Sequence, residues 1–171
     1  WAGVAASEPP TLGIGVRPTR HSHRLLREVG EFVVNIPSES LLWATDFCGT
    51  VSGRDRDKFQ GAHLTPVPAA IVKPPLIAEC PVNLECVVRQ VIPLSSHDLF
   101  LGEVVAVHVE EECLGEGQRW DVAKLKPMAY CHGDYWSLGT MLERFGFSRR
   151  REAPASPPEG KVPHPARKVG A

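Results

Sequence analysis

A chain of 171 residues has the length of one domain, and with 43% hydrophobic and 23% charged residues it can bury one substantial core. Nineteen Lys and Arg against twenty Asp and Glu leave a net charge of −1, which excludes the bulk positive field that grips nucleic acid or anionic lipid. Fifteen Gly and sixteen Pro, without the Lys and Glu runs of long helices, point to turns and strands.

No run approaches the roughly 18 apolar residues that span a bilayer, and no basic segment leads into a signal core. A soluble, cytoplasmic chain with no membrane partner is expected. The five cysteines, Cys48, Cys80, Cys86, Cys113 and Cys131, are odd in number and lack metal-knuckle or redox-pair spacing, which fits free thiols in a reducing compartment.

The sequence opens at Trp1 in an apolar run, so residues of the first strands are expected to be missing ahead of it. Thr11 to Val16 reads as a strand with Gly13-Ile14-Gly15 inside it. Arg17-Pro18-Thr19-Arg20-His21-Ser22 follows, a cationic cluster where a strand ends and a helix begins. Open amides and the helix dipole favour an anion there. The alternative is that Thr19 or Ser22 only caps the helix while the arginines are solvated.

Leu25, Leu26 and Val29 recur at helical spacing between His21 and Gly30, and Gly30 supplies the left-handed stop. Glu31 to Ile36 reads as the next strand. Ser38 opens a second helix through Leu41, Leu42, Thr45 and Phe47, with Gly49 as its end.

The segment from Cys48 to Lys58 is the densest functional candidate. Gly49 and Gly53 let a backbone approach a ligand, Thr50 and Ser52 offer hydroxyls, and Arg54, Arg56 and Lys58 can balance a dianion. It lacks the Gly-Lys-Ser/Thr ending of a nucleotide-binding loop, and a solvated turn of mixed charge is the other reading.

From Pro81 the period changes to two. Val82, Leu84, Cys86 and Val88 alternate with Asn83, Glu85 and Arg89, and Val105, Val107 and Val109 return after a turn at Ser95-Ser96-His97-Asp98. This predicts a long antiparallel hairpin, with Cys86 a small buried hydrophobe and His97 in the turn. Too few helices remain for a doubly wound sheet. A mainly β, closed antiparallel barrel with a few peripheral helices is therefore expected over residues 1–147. Residues 148–171 carry five prolines and a net charge of +4. They predict a basic, Pro-rich, mobile tail.

Nucleophile-elbow, zinc-protease and dinucleotide glycine motifs are absent, and the seven histidines lack metal-ligand spacing, so no metal is expected. The stretches Trp1-Ala2-Gly3-Val4, Gly15-Val16-Arg17-Pro18-Thr19-Arg20, Gly30 to Pro37, Asp46-Phe47-Cys48-Gly49 and Ser52-Gly53-Arg54-Asp55-x-Asp57-Lys58-Phe59 resemble the flavin reductase family, close to the flavoredoxins. So do Leu64-Thr65-Pro66-Val67, Ala78 to Cys86 and Leu99 to Val104, in order to about residue 139.

That resemblance implies an FMN-binding split β-barrel, a homodimer with flavin at or near the subunit interface, and reduction of flavin by NAD(P)H. It assigns the phosphate to Arg17, Ser22, Ser52 and Lys58, with Arg20, Gly53 and Arg54 beside them. It assigns the ring surroundings to Trp1, Ala2, Gly3, Cys48 and Gly49. Hydride passes from nicotinamide to flavin without a catalytic side chain acting as general base, so positioning matters most. Two other functions stay open. One is an FMN-bearing electron carrier without nicotinamide turnover. The other is a flavin-free barrel that serves as an interaction module, and Arg17, the Ser52 to Asp55 loop and Lys58 argue against it.

Overall fold

The computed structural model describes residues 2–149. Strands β1 (Ala2–Ser7) and β2 (Pro10–Val16) form a hairpin, followed by helix α1 (His21–Val29) and strand β3 (Glu31–Ile36). A 3₁₀ turn, Glu39–Leu41, leads into α2 (Leu42–Thr50), then α3 (Lys58–Ala62) and the short pair β4 (Pro66–Val67) and β5 (Leu76–Ile77). The long hairpin is β6 (Val82–Pro93) with β7 (Asp98–Val109), and α4 (Val122–Leu125) precedes a last hairpin, β8 (Met128–Cys131) and β9 (Asp134–Ser137). Two units are distinguished, one ending at Leu138 and one beginning at Gly139. The second is described only as far as its 3₁₀ turn at Phe147–Arg149, so most of the expected basic tail lies outside the described residues.

The expected strands at Thr11 to Val16 and Glu31 to Ile36 form, and Gly30 ends α1 at φ 71° with its N–H on the Leu26 carbonyl. Two local expectations need correction. Gly49 lies inside α2, which continues to Thr50 and ends at the extended Val51, because glycine in an αR conformation weakens a helix without stopping it. Ser38 does not cap with its side chain; its Oγ shares a hydrogen bond with Ser40 Oγ at 2.7 Å.

Five strands form one antiparallel sheet in the order β1-β2-β7-β6-β3. Its core joins Leu12, Leu26, Phe32, Val82, Leu84, Cys86 and Phe100. The expected closed barrel is corrected here, because among the described residues no hydrogen bonds join β1 to β3. Residues 70–77, which include β5, lie over the face of the sheet at β3 and β6. Glu31 Oε2 accepts from the Lys73 N–H at 2.8 Å, and Asn35 Oδ1 accepts from the Ile77 N–H at 3.1 Å. Side chains projecting from that face thus satisfy the covering segment's amides.

The polar positions of the β6 alternation are buried as well: Asn83 and Glu85 lie inside, and Glu85 is 0% exposed. The Glu85 carboxylate accepts backbone N–H bonds from Ala70, Ile71 and Val72 at 2.7 to 3.0 Å and pairs with His108 Nε2 at 2.6 Å. Burial would raise its pKa, but these hydrogen bonds outweigh burial and hold it at about 2.

Candidate functional site

The strand-to-helix corner comes first. β2 stops at Val16, and the Arg20 N–H closes a turn on the Arg17 carbonyl at 2.9 Å before α1 begins. Arg20 stands at the helix cap in extended conformation, no side chain caps the helix, and its first turn carries no acidic residue. The positive end of the dipole therefore adds to two exposed guanidinium groups.

The helix is tied down on its other side. His23 Nε2 and Arg27 Nη2 both reach Asp98 Oδ2, at 2.8 and 2.7 Å, and both side chains pack on the Phe100 ring, with centroid distances of 5.4 and 5.6 Å. The hydrogen bond from His23, then that from Arg27, holds the Asp98 carboxyl below its usual range. This cluster sets where the start of α1 stands relative to β7.

The second segment folds on itself. The Ser52 carbonyl accepts from the Asp55 and Arg56 N–H groups at 3.1 and 3.2 Å, and Ser52 Oγ accepts from the Arg54 N–H at 3.2 Å. Asp57 Oδ1 accepts from the Phe59 and Gln60 N–H groups and so starts α3 at Lys58. The Lys58 ammonium uses one of its three N–H donors on the Cys48 carbonyl at 2.6 Å. Burial pushes the Cys48 thiol up, with Lys58 opposing.

The two segments meet. A Cβ added at Gly53 would lie 3.2 Å from the His21 ring, so the loop passes directly over the first residue of α1. Among the described residues, the Nδ1 atom of that ring is buried without a hydrogen-bond partner. A cleft of about 800 Å³ is lined by Arg20, Ser22, Cys48, Gly49, Ser52, Gly53, Arg54 and Lys58. A neighbouring cleft of about 740 Å³ is lined by Arg17, Arg20, Asp46, Gly49, His97, Tyr130 and Tyr135. Val16, Arg20 and Gly49 line both. Apolar surface adjoins this pair, since Val16, Ser22 and Leu25 also line a third cleft of about 610 Å³ with Phe32 and Val34.

Eleven of the twelve residues singled out from sequence can be placed by cleft or by strand register. Arg17, Arg20, Ser22, Cys48, Gly49, Ser52, Gly53, Arg54 and Lys58 border the two adjoining clefts, and His97 borders the second of them. Ala2 and Gly3 lie on β1 opposite Ile14 and Gly13 and line neither cleft. Trp1 lies outside the described residues.

Sequence reasoning passed over Asp46, Tyr130 and Tyr135. Tyr130 faces Tyr135 across β8 and β9, with ring centroids 5.2 Å apart, and the Tyr135 hydroxyl donates to Asp46 Oδ1 at 3.1 Å. Burial, then the Asp46 carboxylate, raises the Tyr135 pKa. A signal was present. His132-Gly133 is a two-residue turn with both φ positive, 52° and 93°, between two runs containing aromatic residues.

A family model described as "Flavin reductase like domain" matches residues 1–139. Flavoredoxin of Desulfovibrio vulgaris (Miyazaki F) superposes with a TM-score of 0.82 and 32% identity, covering 88% of this chain and 81% of that one. This likeness assigns the fold as a split β-barrel. An FMN-binding protein of Thermus thermophilus, bound to 1-cyclohex-2-enone, superposes with a TM-score of 0.71 and 26% identity over 84% of this chain and 79% of that one. An uncharacterized protein of Archaeoglobus fulgidus is 38% identical over 107 residues, 63% of this chain; the chain spans 60% of that relative's length.

Proposed function

We infer the function from one premise: this chain belongs to the flavin reductase-like domain family. On that premise we propose that it is an FMN-binding oxidoreductase that accepts hydride from NAD(P)H. One observation carries the reading. Two cationic segments separate in sequence, Arg17 to Ser22 and Cys48 to Lys58, border adjoining clefts that share Arg20 and Gly49.

The residues present suit FMN. The phosphate needs cations and donors, which Arg20, Ser22, Ser52, Arg54 and Lys58 supply in one cleft, with Arg17 in the next. The first residue of α1, His21, lines the same cleft. The flat ring needs apolar surface and room for close approach. Adjoining aliphatic side chains offer the first, and a Cβ at Gly15 or Gly49 would meet nothing within 4 Å. Bound FMN would supply a ring that accepts two electrons from a hydride donor.

The chain's own part is to hold, orient and shield. The arginines and Lys58 fix the charged tail, Gly49 leaves space beside the ring, and no side chain is assigned as a general base. A second copy covering the clefts would exclude water from them, and we include a homodimer in the proposal. The free thiols suit a reducing compartment such as the cytoplasm.

A carrier of flavoredoxin type, without nicotinamide turnover, is the second reading, favoured by the 32% identity to flavoredoxin. Titration with FMN should quench flavin fluorescence and saturate at one equivalent per chain; no quenching and no thermal shift would remove the flavin reading. Anaerobic mixing of the FMN-loaded protein with NADH or NADPH should then bleach the flavin absorbance in a stopped-flow trace. A loaded protein that stays yellow with both is a carrier.

A further inference from the structure

We propose that Tyr135 is a positioning residue that holds the Asp46 carboxylate away from the cleft arginines, so that Arg17 and Arg20 stay available to an anionic ligand. The inference rests on the flavin mononucleotide reading of the clefts and adds to it a residue outside the two cationic segments.

Asp46 is a liability where it stands. It is exposed on α2 and lines the same cleft as Arg17 and Arg20, so an unengaged carboxylate there is an internal anion that can compete with a ligand for them. The observed partner is different: Asp46 Oδ1 accepts from the Tyr135 hydroxyl at 3.1 Å. The ion pairs among the described residues join Asp46 to neither arginine.

The donor is well placed for this task. Tyr135 is half-buried, its ring is braced at 5.2 Å by Tyr130 on the facing strand, and the His132-Gly133 turn sets that pairing. A phenol also engages the carboxylate without adding a charge of its own. Removing the hydroxyl would leave Asp46 to the arginines, and a bound phosphate would then compete with an internal anion.

The test compares FMN dissociation constants, read by fluorescence quenching, for the full chain and for Tyr135→Phe, Asp46→Asn and the double variant. Thermal midpoints confirm folding. Tyr135→Phe should weaken FMN by about threefold to tenfold. Asp46→Asn should bind as tightly as the parent or more so, and the double variant should recover the Asp46→Asn affinity. The deficit of Tyr135→Phe should also shrink in high salt, as befits competition between exposed charges.

A simple structural latch between hairpin and helix gives the opposite pattern: Asp46→Asn as weak as Tyr135→Phe, with no recovery in the double variant. Either that pattern or an unchanged Tyr135→Phe overturns the inference. Lys58→Ala separates this failure from failure of the flavin reading. If the parent binds FMN and Lys58→Ala weakens it, only the role of Tyr135 falls; if the parent binds no FMN, both fall.

Discussion

Lys58 shows how one side chain serves two ends. Its ammonium braces the end of α2 through the Cys48 carbonyl and lines the cationic cleft with its remaining donors. Lys58→Ala should weaken FMN at least about tenfold, near 1.4 kcal/mol, for loss of a charge-assisted contact. Calorimetric titration of the variant checks this, and unchanged affinity would take Lys58 out of the phosphate site. Gly102 makes a separate point about packing. A Cβ there would lie 2.5 Å from the Phe32 ring, so Gly102→Ala must displace a buried aromatic at a cost of about 1–3 kcal/mol. A thermal midpoint equal to that of the parent would show that the core gives way without strain.

At the scale of elements, the segment 70–72 is fastened to β6 by one carboxylate. Glu85 has a folded pKa of about 2 against an ordinary 4.5, so it binds protons less readily folded than unfolded. Its contribution to stability is therefore present above about pH 4.5 and lost as pH falls from there to about 2. Glu85→Gln should lower stability by about 3 kcal/mol, since an amide donor would face backbone N–H groups, and should flatten the acid limb of the stability profile. Urea melts of parent and variant between pH 3 and 7 measure both; parallel profiles would contradict this role. Helix α1 depends in the same way on Asp98. Asp98→Asn should loosen the start of α1 and weaken FMN binding together with the thermal midpoint. Loss of stability with intact affinity would separate the tether from the site.

For the whole molecule, the open sheet matters most. All six residues of β1 are exposed, Val4 at 82%, and β1 pairs with β2 alone among the described residues. An edge of this kind is seldom left bare. Light scattering after size exclusion should give twice the 18.7 kDa chain mass, and a monomer at micromolar concentration would exclude the proposed dimer.

How far the sequence could be read depended on whether a residue's partners were near it in the chain. Strands at Thr11 to Val16 and Glu31 to Ile36, the Gly30 stop and the long hairpin were legible because period and turn chemistry act within a few residues. The two cationic segments were legible as compositions. The buried state of Glu85 was not, because alternation says only that two faces differ, and the loop that covers its face comes from residues 70–72. The contact between Asp46 and Tyr135 was missed for a similar reason: 89 positions separate them.

By itself the chain's sequence determined the local elements, the family resemblance and which residues could carry positive charge to a ligand. Only the tertiary structure decided that Gly53 passes over His21, that Arg20 borders both clefts, and that residues 70–77 cover Glu31, Asn35 and Glu85 on a face of the sheet. Local conformation follows from short-range sterics and burial period. Adjacency between remote segments follows from packing of the whole chain, which no single stretch encodes.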